Sequence, residues 1–225
     1  MALDSHMNLY LSSEELGEYP NHWLDMLPDR AKVGIIANAV DYKTEDAREG
    51  FVNRQHDRLS ALGVTPEEIE LTSYYDKPDY AIRNRIKDFD GVWVTGGNVF
   101  MLRASMELSG LDRHIGGLVM ESGLVYAGFS AGGCQTARHL YGLELVDPLH
   151  QLTERQRTAD VFKGLGLLDK LVVPHYKSPN NPCTGGIDKV VTRLDELRAR
   201  YVTLSDGDAL VIRGGEEKIL RARAA

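Results

Sequence analysis

The chain has 225 residues, 43% hydrophobic and 26% charged, which suits one soluble domain large enough to bury a sizeable core. Its net charge of −7 and the lack of any basic stripe argue against a nucleic-acid surface, and no apolar run approaches the ~18 residues that span a bilayer. Two cysteines, Cys134 and Cys183, make no disulfide framework, so a cytoplasmic location is expected.

The first residues, Met1 to His6, are polar, lack an apolar signal core and read as a cloning remnant, with one domain expected over 7–225. Leu9-Tyr10-Leu11 and Val33 to Ala37 read as strands, and Glu45 to Leu62 as a helix stopping at Gly63. Ile69 to Leu71 is expected as a short strand and Tyr80 to Phe89 as a helix. Gly91 to Thr95 reads as a buried strand ending at Gly96-Gly97, followed by helices over Phe100 to Leu108 and Leu111 to Ser122. The apolar run Gly123 to Ala127 is the next strand. Residues 141–168 are the least regular stretch and are expected to form loops over a site. A strand over Leu171 to Pro174, a helix over Ile187 to Arg200 and a strand over Tyr201 to Leu204 follow. Ala209 to Ile212 and Lys218 to Leu220 read as a hairpin turning at Gly214-Gly215. Strands alternating with helices imply an α/β domain with a largely parallel sheet covered on both faces, its functional groups at the strands' carboxyl ends.

One such strand end carries Gly128-Phe129-Ser130-Ala131-Gly132-Gly133. A G-x-S-x-G between strand and helix is the nucleophile-elbow pattern, whose turn is too tight for a Cβ two positions either side of the serine. Ser130 would then expose its hydroxyl, with the Ala131 N–H pointing to where an oxyanion forms. The bland alternative is a glycine-rich turn with a capping serine. Cys134, four residues on, reads as a small buried residue, Cys183 lies in a loop, and no H-E-x-x-H or C-x-x-C spacing suggests a metal.

Three other segments place functional groups just after apolar runs. Gly96-Gly97-Asn98 lets backbone approach a ligand closely, so Gly97 is a second candidate oxyanion donor, while Asn98 either caps the next helix or meets substrate. Pro174-His175-Tyr176 offers His175 as a general base for a serine on a neighbouring strand of the same sheet. Leu204-Ser205-Asp206-Gly207 offers Asp206 to hold the imidazole tautomer, against the plainer reading of an Asp-Gly turn. The order Ser, His, Asp differs from the α/β-hydrolase order, in which the acid precedes the histidine; only Glu144 and Asp147 lie suitably between.

These segments, with Val94-Thr95-Gly96-Gly97-Asn98-Val99-Phe100 and Val146-Asp147-Pro148, resemble the peptidase E (aspartyl dipeptidase) family of serine peptidases, relatives of cyanophycinase, over nearly the whole chain from Met7. The resemblance implies a flavodoxin-like three-layer sandwich akin to class I glutamine amidotransferases. It implies Ser130 as nucleophile, His175 as base, Gly97 and Ala131 as oxyanion donors, small peptides as substrates and no metal or organic cofactor. Asp206 stands where the family's enzyme has a glutamate, one methylene longer. The family holds the substrate's aspartate with an arginine after the histidine, whereas this chain offers Lys189, with Arg193 further on. The expectation is therefore a serine dipeptidase of unassigned residue preference, monomeric or homodimeric. The competing expectations are an esterase, which the chain order disfavours, a cyanophycinase-like hydrolase, and a binding protein that has lost turnover.

Overall fold

The computed structural model describes residues 6–223, so residues 1–5 of the expected cloning remnant lie outside the described residues. Among the described residues nine strands form two sheets: β1 (Leu9–Ser12), β2 (Lys32–Ile36), β3 (Thr65–Glu68), β4 (Gly91–Val94), β5 (Val125–Phe129), β6 (Leu171–Val173), β7 (Tyr201–Thr203), β8 (Ala209–Arg213) and β9 (Glu216–Leu220). Seven of them line up as β3-β2-β4-β5-β1-β8-β9. The five from β3 to β1 run parallel, and the β8–β9 hairpin closes the far edge antiparallel. The helices are α1 (Pro20–Leu24), α2 (Glu45–Ala61), α3 (Asp79–Ile86), α4 (Val99–Leu108), α5 (Ile115–Glu121), α6 (Ala131–Cys134) and α7 (Thr184–Glu196).

Alternation along the strands splits the core into two apolar layers. Leu9, Leu11, Val92, Val94 and Tyr126 face one way, against Ile82 and Ile86 of α3, Phe100 and Leu102 of α4, Leu118 of α5 and Ile187 of α7. Tyr10, Trp93, Val125, Ala127 and Phe129 face the other, against Trp23 of α1 and Val52 and Leu59 of α2. Trp93 is the centre of that second layer, stacked obliquely between Trp23 and Phe129 at 5.1 and 5.6 Å. The result is the three-layer α/β sandwich expected from the alternating pattern.

Several boundaries differ from expectation for local reasons. Residues 69–71 are not the edge strand; β3 lies just before, and Ile69 only adds one ladder bond to Ile35 O (2.8 Å) before a 3-10 turn over Leu71–Tyr74. Pro66 is tolerated in β3 because that strand has a neighbour on one side only. The stretch 111–122 is broken at His114 into a 3-10 turn (Leu111–Arg113) and α5, whose Gly116 and Gly117 give weak helical preference. Helix α7 starts three residues early and stops at Glu196, past which Arg198 takes a left-handed φ of 52°. The hairpin turns at Gly214 and Gly215, both at positive φ (60° and 79°), the geometry a two-residue primed turn requires.

One correction bears directly on the site. The strand before His175 is not in the main sheet: β6 pairs in parallel with β7 as a separate two-stranded sheet. Both edges of β5 are already taken by β4 and β1, leaving no ladder for β6 to join. It docks through α6 instead, where the Cys134 thiol donates to Val172 O (3.2 Å).

Candidate active site

Ser130 follows β5 directly at φ 49° and ψ −117°, a strained conformation for a residue with a side chain. The turn is sterically closed on both sides. A Cβ on Gly132 would lie 2.1 Å from Val94 O, and one on Gly128 2.9 Å from the Gly132 carbonyl carbon. Only glycine at both positions lets strand and helix approach closely enough to stand the serine out.

His175 and Asp206 emerge from the carboxyl ends of β6 and β7. The parallel register Val173↔Thr203 carries on past the strands, with Leu204 N–H donating to Val173 O (2.9 Å) and Tyr176 N–H to Leu204 O (3.0 Å). That ladder sets the two side chains next to each other. His175 Nδ1 lies 2.7 Å from Asp206 Oδ1, and Nε2 lies 3.0 Å from Ser130 Oγ. An ionised carboxylate only accepts, so the proton between Asp206 and His175 sits on Nδ1 and leaves Nε2 free to accept from the Ser130 hydroxyl. The Asp206 loop is itself anchored: buried Asp208 accepts from Ser205 N–H (2.9 Å), Ala222 N–H (2.7 Å) and Arg221 (2.7 Å).

Two residues that sequence reasoning missed complete this line. Ser13 Oγ, fully buried, donates to Asp206 Oδ1 and accepts from His175 N–H, both at 2.8 Å. It follows β1 at a strand's carboxyl end, like the other three segments, but no motif around it singles it out. Asn181 accepts from Cys183 N–H through Oδ1 (3.0 Å), which turns its amide nitrogen toward Asp206 Oδ2 (3.0 Å). That nitrogen also lies 2.9 Å from His175 Nδ1, but both are donors, so the bond goes to Asp206. Asn181 sits in an irregular loop, where nothing in the sequence marks it. Burial alone would raise the Asp206 carboxyl, but hydrogen bonds from His175 and Ser13, the His175 charge and Asn181 outweigh it and hold the group below the usual carboxylate range. Nearby Glu14 is raised, by burial first and then by the Asp206 charge.

Gly97 and Ala131 line the same cavity as Ser130, and among the described residues neither N–H meets an acceptor. Gly97 has φ 139°, and a Cβ there would lie 2.4 Å from Ala39 O. Asn98 is wholly engaged: Oδ1 caps α4 by accepting from Phe100 and Met101 N–H (3.0 and 3.2 Å), and Nδ2 donates to Pro148 O and Gln151 Oε1 (3.0 and 2.9 Å). Its side chain therefore holds the cavity wall rather than reaching a ligand. Lys189 is exposed on α7 and does not line the cavity. Glu144 accepts locally from Gly142 N–H (2.7 Å), and Asp147 accepts from Val99 N–H (2.8 Å); neither bonds to His175.

The cavity has a volume of about 270 Å³. Leu143, Val146, Asp147, Pro148 and Gln151 form one part of its wall, and Cys183 and Ile187 at the start of α7 another. Burial pushes the Cys134 thiol up, so it is no competing thiolate. Among the described residues no group of His, Cys, Asp and Glu is arranged to hold a metal ion, and no helix is long and apolar enough to cross a membrane.

A parallel α/β sheet with a strained serine at a strand end is one of the architectures that serine hydrolases use. The model of Peptidase family S51 matches residues 12–220. An uncharacterised peptidase of Listeria monocytogenes is 27% identical over 169 residues, covering 74% of this chain and 76% of its own. A peptidase E of Streptomyces coelicolor is 27% identical over 215 residues, 93% of this chain and 79% of its own. The crystal structure of a candidate peptidase E from Listeria monocytogenes matches the fold with a TM-score of 0.76 at 23% identity, over 96% of this chain and 99% of that one. The chain belongs to peptidase family S51 and is a serine peptidase.

Proposed function

We propose that this serine peptidase is a cytoplasmic dipeptidase in which Ser130, His175 and Asp206 act as the catalytic triad. The observation that carries this reading is the continuous line Ser130 Oγ–His175 Nε2–His175 Nδ1–Asp206 Oδ1, with contacts of 3.0 and 2.7 Å. Ser130 attacks the scissile carbonyl while Nε2 takes its proton. Asp206 stabilises the imidazolium without taking a proton itself. The tetrahedral oxyanion lies between the Gly97 and Ala131 N–H groups, and the charge that develops there meets donors already in place. His175 then protonates the leaving amine, and water, deprotonated by the same nitrogen, clears the acyl-enzyme. The small volume of the cavity, about 270 Å³, supports a short substrate. A Drosophila melanogaster relative named as a probable alpha-aspartyl dipeptidase supports the same substrate class.

The test is hydrolysis of a dipeptide panel by the wild type and Ser130→Ala, with fluorophosphonate labelling of both. The variant is expected to lose turnover by about 10⁴-fold or more, together with all labelling at the site. Undiminished hydrolysis would reject Ser130 as nucleophile.

A further inference from the structure

The triad leaves one ionisable group of the cavity without a task. Asp147 lines the wall, is half-buried, and receives a single hydrogen bond, from Val99 N–H to Oδ2 (2.8 Å). Among the described residues it forms no ion pair, and its other oxygen, Oδ1, accepts from no protein donor. Among the described residues no arginine or lysine lines the cavity. A partly desolvated carboxylate that lines a cavity with no cation beside it has a free acceptor for a ligand's cation.

We propose that Asp147 anchors the free α-ammonium of the substrate, so that the site takes unblocked short peptides whose first side chain carries no negative charge. The proposal rests on the peptidase reading for its substrate class, and its geometry comes from the backbone. The Asp147 carboxylate is tied to the N–H of Val99, two residues beyond Gly97, so the two backbone sites lie within about 7 Å of each other. In a peptide the α-nitrogen and the carbonyl carbon of the first residue are about 2.5 Å apart. With the 2.8 Å bond to Val99 N–H, the carboxylate oxygen lies at most about 10 Å from the Gly97 nitrogen. An ammonium–carboxylate bond and an oxyanion bond of about 3 Å each, with the C=O bond of about 1.2 Å, give the bound residue a reach of up to about 10 Å. A peptide whose first carbonyl oxygen lodges at Gly97 therefore has its ammonium within reach of Asp147, which lines the same cavity. The lining also includes apolar Leu143, Val146 and Ile187, and it supplies the Asp147 charge but no fixed cation to an aspartate side chain. Burial raises the Asp147 carboxyl to about 6, so it is charged at neutral pH, when the ammonium is charged as well.

Calorimetric binding to Ser130→Ala separates this proposal from the catalytic one, because it needs no turnover. An Ala-Ala dipeptide is expected to bind about 10- to 100-fold more tightly than N-acetyl-Ala-Ala, the difference expected of a charge-assisted bond. Asp147→Asn keeps an acceptor for Val99 N–H and removes the charge; in that background the two ligands are expected to bind alike. Equal binding of the two ligands to Ser130→Ala, an equal loss for both on Asp147→Asn, or no binding of either overturns the proposal. Tighter binding of Asp-Ala than of Ala-Ala overturns the exclusion of acidic residues. If the wild type hydrolyses no peptide yet binding shows the amine dependence, the peptidase reading fails and the anchor stands.

Discussion

Ser13 does not line the cavity, yet it joins two members of the proposed relay. One hydroxyl fixes the backbone of His175 and the carboxylate of Asp206 together. Removing it leaves the His175 N–H buried without a partner and Asp206 with one donor fewer, a loss of about 1–3 kcal/mol at the point where the imidazole must be held. Ser13→Ala is expected to lower kcat about 10- to 100-fold with KM nearly unchanged, and to slow fluorophosphonate labelling in parallel. Ser13→Thr, which keeps the hydroxyl, should restore most of both. An unchanged kcat in Ser13→Ala would reduce the residue to a structural one. At this scale the sequence marked Ser130, His175 and Asp206 because each follows an apolar run at a strand end. The same rule covers Ser13, but a serine without a glycine motif around it carries no signal of its own. Asn98 shows the converse: its type suits both a cap and a ligand contact, and only the four bonds it makes decide for the cap.

Elements were legible where the local sequence leaves one solution. The elbow is such a case, since the close approach of β4, β5 and α6 requires glycine on both sides of Ser130. The β6–β7 pair is not: an apolar run announces a strand but not the edge it will pair with, and that depended on β1 having filled the free edge of β5. The glycines of two helices make the contrast measurable. Gly132→Ala places a Cβ 2.1 Å from Val94 O, against rigid backbone, and is expected to destabilise the fold by about 3 kcal/mol or more. Gly185→Ala, in the first turn of α7, meets nothing within 4 Å at an ordinary helical φ. It is expected to stabilise by about 0.5–1 kcal/mol through the unfolded chain's lost freedom. Denaturant midpoints of the two variants check both signs, and a neutral Gly132→Ala would mean the elbow is looser than its contacts.

On the scale of the whole molecule, the alternating strand and helix pattern fixed the architecture, while both chain ends supply support for the site that no local pattern reveals: Ser13 after the first strand, and Arg221 and Ala222 after the last, holding Asp208. Global stability should register the two carboxylates of the site with opposite signs. Asp206 is held below its ordinary range, so its contribution to stability is present above that range and is lost as the pH falls through the folded value. Asp147 is raised from 3.8 to about 6, so its contribution is fully present below its ordinary value and is lost as the pH rises through 6. That displacement corresponds to about 3 kcal/mol lost at neutral pH. Asp147→Asn removes the titration and keeps the bond from Val99. It should melt above the wild type at pH 7–8, with the gap closing toward pH 4. Asp206→Asn should melt below the wild type at neutral pH, with its gap closing only in stronger acid. A gap for Asp147→Asn that does not change with pH would show that the carboxylate is already compensated. With the gap as expected, the charge held at a stability cost beside Ser130 is a feature a bound ammonium relieves. Ala-Ala should then raise the Tm of Ser130→Ala more at pH 7 than at pH 5, by mass action on a site that is charged only at the higher pH.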